Sequence, residues 1–230
     1  MRYLITFLIA AGFYFTGISQ DCATTDLLKE GTKWEMTNFN KKGKVEGVNK
    51  YEILSADISE GVYTWKLKMD MTDKKDEVFS EVTTEIVCED GIFKMNMEQF
   101  TSPATMQSIE EMDVEIDATD IEYPTDYDEN TTLPDASIKI KAGMNGMTIM
   151  NIETYVTDRK TENKETIETS AGSFDCLKMS QTTELKNKLI NVKTTSKEWF
   201  LPGFGVIRSE SYDKKGNLSG YMELTSLTTP

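Results

Sequence analysis

Tyr63-Thr64-Trp65-Lys66-Leu67-Lys68-Met69-Asp70-Met71 is the stretch that decides the fold. Every odd position is apolar and every even one polar. Such residues sort onto two faces only when the backbone is extended, because successive side chains of a strand point to opposite sides of the sheet. Wound into a helix, the same residues would be scattered around its circumference. The stretch therefore reads as a strand with one buried and one wet face.

Weaker copies of the alternation recur along the chain at residues 32–39, 51–54, 78–88, 92–97, 137–142, 147–157, 165–169, 173–184, 189–200, 206–212 and 221–227. About one residue in eight of the 230 is threonine, whose β-branch suits the exposed face of a pleated sheet. Turn chemistry agrees. Phe39-Asn40-Lys41-Lys42-Gly43-Lys44-Val45 and Tyr212-Asp213-Lys214-Lys215-Gly216-Asn217-Leu218 share one plan, in which Asn or Asp opens a type I turn and glycine takes the left-handed position after it. Glu89-Asp90-Gly91 and Ala142-Gly143-Met144-Asn145-Gly146 read as further hairpin turns. The expectation is a mainly β chain built on a single curved antiparallel sheet.

One stretch breaks the pattern. Ser102-Pro103 is a good N-cap and first-turn pair, and Ala104, Met106, Ile109 and Met112 allow one or two helical turns to about Glu111. From Asp113 to Asp135 the chain is acidic and turn-rich, with Pro124 and Pro134 as breakers. We read 102–135 as a long, partly helical connection crossing one face of the sheet. Nothing in the composition marks a second domain, so residues 20–230 are expected to form one.

The first nineteen residues read as a cleaved secretory signal: Arg2 is followed by an apolar run from Tyr3 to Phe15, and Gly17 and Ser19 stand at −3 and −1 of a cut before Gln20. The run is shorter than the roughly 20 apolar residues of a membrane span. A lipid-attachment reading of Cys22 would want a small residue where Asp21 stands. The mature chain is thus expected to be periplasmic or secreted, with no transmembrane segment after signal removal. In an oxidising compartment Cys22, Cys88 and Cys176 allow one disulfide and leave one thiol. A bridge from Cys22 to Cys88 or Cys176 would tie down the chain end, three reduced thiols being the alternative; Cys22–Cys88 is the pairing we expect.

Charge and residue usage exclude much. The formal charge of −14, or −15 once Arg2 leaves with the signal, opposes phosphate backbones, so nucleic acid is not an expected partner. The absence of histidine rules out Ser-His-Asp, Cys-His and HExxH chemistry. No phosphate-binding glycine loop or GxSxG elbow is present. The carboxylates of 113–129 supply oxygen ligands of the kind calcium takes, yet without the order or glycine of an EF-hand loop. We expect no metal, no cofactor and no enzyme activity.

Several pieces together resemble a family of exported proteins of Gram-negative bacteria called TapB-like. They are Cys22 with Leu28-Lys29-Glu30-Gly31-Thr32-Lys33-Trp34-Glu35, Val87-Cys88-Glu89-Asp90-Gly91, Met112-Asp113-Val114-Glu115-Ile116, Leu133-Pro134-Asp135-Ala136, Ala171-Gly172-Ser173-Phe174-Asp175-Cys176-Leu177-Lys178, Glu198-Trp199-Phe200, Gly205-Val206-Ile207-Arg208-Ser209-Glu210 and Gly220-Tyr221-Met222-Glu223-Leu224. The resemblance implies a half-barrel similar to the lipoprotein carriers LolA and LolB, and implies no catalytic residues.

Methionine supplies 13 residues, many on the alternating segments. Its flexible thioether conforms to irregular apolar shapes. On a half-barrel, Trp65, Leu67, Met69, Phe93, Met95 and Met97 share the face that either packs as core beneath 102–111 or walls a groove for a lipid, acyl chain or lipidated peptide. We take the groove as the functional expectation: an exported, non-enzymatic module holding a hydrophobic ligand. The alternative is an envelope or surface interaction protein whose acidic face meets a basic partner.

Overall fold

The computed structural model describes Cys22 and residues 27–101, 103–125 and 128–230. The expected signal at 1–19 lies outside the described residues, as do Ser102 and Asp126.

The alternating segments are strands. β1 (Lys33–Asn40), β2 (Val45–Ser59), β3 (Val62–Asp73), β4 (Val78–Glu89) and β5 (Ile92–Asn96) form a meander, followed by a 3-10 turn at Met97–Phe100 and α1 (Pro103–Ile109). After β6 (Asp113–Ala118) and β7 (Asp120–Pro124) a second meander runs through β8 (Ala136–Met144), β9 (Met147–Thr169), β10 (Gly172–Asn187), β11 (Asn191–Leu201), β12 (Gly205–Tyr212) and β13 (Leu218–Thr228). The pairing of β1 with β13 joins the two meanders into one 13-stranded antiparallel sheet, in the order β6-β8-β9-β10-β11-β12-β13-β1-β2-β3-β4-β5-β7.

The stretch expected as a connection is what closes the sheet. β6 and β7 stand at opposite ends of the strand order, yet only Thr119 separates them in sequence. Thr119 N–H donates to the Ser137 carbonyl at 2.9 Å and its own carbonyl accepts from Met97 N–H at 3.0 Å, so this residue touches both borders. The sheet is therefore nearly closed into a barrel, further than a half-barrel. The acidic residues had masked the alternation of Val114, Ile116 and Ala118, then Ile121 and Tyr123, of which the last two are buried. Two other expectations are corrected. The helix ends at Ile109 rather than near Glu111, and β9 is one 23-residue strand where two shorter ones were expected.

Two apolar clusters fill the body. The larger gathers Ile53, Trp65, Leu67, Phe93, Ile140 and Phe200 among others; the smaller contains Met36, Cys176, Trp199, Phe204, Ile207 and Leu224. Leu28, Trp34 and Tyr51 touch both, with Trp34 stacked on Tyr51 at 5.0 Å. Cys22 is joined to Cys88, Cα to Cα 5.8 Å, and the Trp65 indole N–H donates to the Leu28 carbonyl at 2.9 Å. The sulfur that lipid attachment at Cys22 would need is thus engaged in the disulfide.

Antiparallel order sends the hairpins to two rims. The β1–β2, β3–β4, β8–β9, β10–β11 and β12–β13 turns lie at one end of the barrel; β2–β3, β4–β5, β9–β10 and β11–β12 lie at the other. Asn40 and Asp213 each accept backbone N–H bonds across their lysine turns, as the shared motif requires. Close approach explains Gly47: a Cβ there would stand 2.3 Å from the Thr72 carbonyl oxygen.

Candidate functional site

The six residues expected to wall a groove are mostly core. Trp65, Leu67, Phe93 and Met97 are buried, Met95 packs against the same cluster, and Met69 is half-buried opposite Tyr51. Trp65 stacks on Phe93 at 5.5 Å and on Tyr63 at 5.8 Å. Their cluster also contains Ile138, Ile140, Leu177 and Met179, from strands on the far side of the order. These side chains therefore form part of the barrel's larger apolar cluster.

An apolar recess lies at the border of that core. Met106 and Ile109 of α1 face Val114 and Ile116 of β6 across a cavity of about 650 Å³, with Glu110 at its edge. Pro103 begins the helix and the chain turns back at Met112, whose N–H donates to the Ile109 carbonyl at 2.9 Å. That turn sets α1 beside the first strand of the sheet. Ile109 is buried, Met106 and Ile116 pack against the larger cluster, and Val114 is exposed. The recess is thus an extension of the core that opens to water. Its size falls within the ~300–1,000 Å³ common for small-molecule sites.

A second cleft, of about 410 Å³, is lined by Thr125, Lys164, Glu165, Asp175, Cys176 and Pro202 among others. Its carboxylates already have partners. Glu165 accepts from the Trp199 indole at 2.7 Å, from Asn163 at 3.0 Å and from Lys178 at 3.1 Å, contacts that hold its carboxyl down at about 2. Asp175 accepts from Thr166 at 2.7 Å. The Cys176 thiol is pushed up to about 12, chiefly by burial and then by the Asp175 charge, and so is not a ready nucleophile.

The sequence reading missed a buried polar network. Arg159, 1% exposed, donates from Nε to Gln181 Oε1 (3.2 Å), from Nη1 to the Pro134 carbonyl (2.7 Å) and from Nη2 to the Glu122 carbonyl (2.9 Å). Gln181 in turn donates to Glu198 at 2.8 Å, and the Tyr123 hydroxyl donates to the other Glu198 oxygen at 3.4 Å. The guanidinium also lies 5.0 Å from the Tyr123 ring centroid, and that ring stacks on Phe200. Desolvation raises the Glu198 carboxyl and the Tyr123 hydroxyl above their ordinary values. These groups converge as catalytic groups do, but they bond to one another and line none of the cavities described here. The arrangement bolts β7 to β9, β10 and β11.

The acidic run is not gathered around an ion. Asp117 and Glu115 of β6 face Lys139 and Lys141 of β8 at 3.7 and 3.5 Å, and among the described residues no group of three or more cysteines and carboxylates is placed to hold a metal. Among the same residues no helix is long and apolar enough to cross a membrane.

A family model described as DUF3108-like matches residues 29–224. Two solved structures are similar over nearly the whole chain. A protein of Bacteroides fragilis described as exported, with a YmcC-like fold, shares 22% identity at a TM-score of 0.70, covering 87% of this chain and 96% of its own. A protein of Parabacteroides distasonis described as a lipoprotein shares 25% identity at a TM-score of 0.73, covering 91% and 100%. No curated protein matches. The expected exported β family is thus met in its coarser form, as DUF3108-like; the TapB-like name and the LolA and LolB likeness gain nothing from these matches.

Proposed function

The chain belongs to the DUF3108-like family, and from that premise we propose that it is an exported, non-catalytic binding module that holds the apolar part of a lipid or lipidated peptide between α1 and β6. The observation that carries the reading is the recess itself, where Met106, Ile109, Val114 and Ile116 meet over about 650 Å³ at the edge of a filled barrel. Ligand sites are mostly apolar with a few polar groups at the edge, and Glu110 stands in that position. One methionine with two isoleucines and a valine, rather than a rigid aromatic wall, suits chains of varied shape. Export is supported by the leader-like first nineteen residues, by the Cys22–Cys88 disulfide and by the descriptions of the two structural relatives.

The site differs from the expectation in place, not in kind. A carrier of the LolA and LolB type would take its ligand into the barrel, whereas here the interior is packed and the ligand lies against its border. Absence of enzyme activity belongs to the same reading: the converging polar groups around Arg159 bond to one another, and the Glu165 carboxylate of the polar cleft is held ionised by three donors.

The test is titration of the purified protein with a fluorescent fatty acid. Saturable uptake is expected, weakened at least about tenfold by Val114→Asp, which places a charge in the recess from an exposed position. Equal uptake by the variant, or none by either protein, overturns the proposal.

A further inference from the structure

The rim that carries the β1–β2, β3–β4, β8–β9, β10–β11 and β12–β13 turns differs from the rest of the surface in two independent ways. The first is apolar exposure. Of the thirteen large hydrophobic side chains exposed among the described residues, only Leu54 and Ile58 lie away from this end. The others include Leu189 at 90%, Met147 at 71%, Phe79 at 70% and Ile149 at 60%, at or beside hairpin tips.

The second is charge. In a chain with 39 acids and 25 bases, the tips at 40–45, 73–78, 187–193 and 213–217 carry nine lysines against four carboxylates. The turns of the opposite rim, at 59–62, 89–92, 169–172 and 201–205, carry no lysine or arginine and three carboxylates. Of the other acids at this end, Glu46 directly follows the first tip, and Glu110, Glu111 and Asp113 gather at the α1–β6 corner.

Register shows that these tips form one continuous arc. Asn40 pairs with Gly220 next to the β12–β13 turn, Gly47 pairs with Asp73 next to the β3–β4 turn, and Asn187 pairs with Ile152 below the β8–β9 turn. Exposed apolar tips interleaved with lysines on an otherwise acidic body match the interface of an anionic bilayer. There apolar side chains enter the boundary between headgroups and acyl chains while ammonium groups meet phosphates. A basic protein partner would be repelled by the lysines, and an acidic soluble partner would leave Leu189 and Met147 without apolar contact.

The geometry points to a membrane-docking rim: this end of the barrel sits on an anionic phospholipid surface through its apolar and lysine-bearing hairpin tips. The inference goes beyond the ligand recess and stands on the hairpin tips, with Val114 the one apolar residue counted in both. If both hold, they fit together, because Asp113 pairs with Gly143 and the α1–β6 recess therefore opens at the same end.

Flotation of the full mature protein with vesicles tests it. The protein is expected to float with phosphatidylcholine vesicles containing a quarter phosphatidylglycerol, to stay behind with pure phosphatidylcholine, and to be released by high salt. The double variants Lys214→Glu/Lys215→Glu and Leu189→Ser/Met147→Ser, all at exposed positions in or beside the turns, are each expected to lower partitioning at least about fivefold, while the control Ile58→Ser leaves it unchanged. Absence of flotation on anionic vesicles, flotation unaffected by both double variants, or capture only by a soluble polyanion overturns the inference. Fatty-acid uptake measured without vesicles reads the recess separately, so failure of one leaves the other standing.

Discussion

Arg159 on β9 donates a 2.9 Å hydrogen bond from Nη2 to the carbonyl oxygen of Glu122 on β7. β9 is third in the strand order and β7 last, so the bond crosses the seam of the barrel. With Nη1 on the Pro134 carbonyl and Nε on Gln181, one guanidinium satisfies three acceptors from three parts of the chain.

Arg159→Ala is expected to destabilise the protein by about 3–5 kcal/mol, because it leaves buried acceptors without donors as well as opening a cavity. Denaturant unfolding followed by tryptophan fluorescence measures this. A loss under about 1 kcal/mol would mean that the network holds nothing together.

Glu198 gives the fold a pH dependence of definite sign. Desolvation raises its carboxyl above 4.5, partly offset by the Arg159 charge and the Tyr123 hydroxyl bond, so the folded state binds this proton more tightly than the unfolded chain does. The stabilisation is complete below 4.5 and is lost as pH rises through the folded value. Glu198→Gln should therefore gain stability relative to the wild type between pH 5 and 7, and a stability difference independent of pH would contradict the assignment.

Glu165 acts in the opposite direction. Its carboxyl is lowered to about 2 by the Trp199 indole first, then Asn163 and Lys178, so its contribution is present above 4.5 and is lost as pH falls toward 2. With its side chain about a third exposed, screening reduces the contribution to about 1–2 kcal/mol. Thermal unfolding of Glu165→Gln should show a shallower loss of stability on acidification than the wild type, and parallel curves would refute this.

The Cys22–Cys88 bridge closes a loop of 66 residues, and its reduction should cost about 2–5 kcal/mol. Cys176 is buried with a raised thiol. A thiol reagent should therefore find no rapidly reacting group in the native protein and one per chain after unfolding without reductant. More than one would show that the bridge does not form.

Most of the sheet was legible because β3 and its relatives alternate apolar and polar residues, which an extended chain alone can sort. The reading failed where inward residues are polar. Arg159 and Thr161 are buried in β9, so the pattern faded there and one strand looked like two. It failed again at β6 and β7, where acidic outward residues made Asp113–Pro124 resemble a solvated loop, although Ile121 and Tyr123 keep the period of two.

The recess was legible only in pieces. Met106 and Ile109 read as an apolar helix face, but Val114 and Ile116 belonged to the run taken as a connection, so nothing in the sequence set them opposite the helix. Trp65 and Phe93 are buried in the larger cluster. Whether the face that bears them is open depends on which strands oppose it, and sheet closure through Thr119 is a long-range fact. The Arg159 network was invisible for the same reason, since its partners lie on four strands far apart in sequence.

The most direct test of the binding reading is native mass spectrometry of the protein purified from the envelope fraction, with solvent extraction of whatever it carries. The expected result is one acyl-bearing molecule per chain, retained by the wild type and absent from Val114→Asp. A wild-type protein that arrives ligand-free, and stays so after incubation with fatty acid or lysophospholipid, would contradict the account.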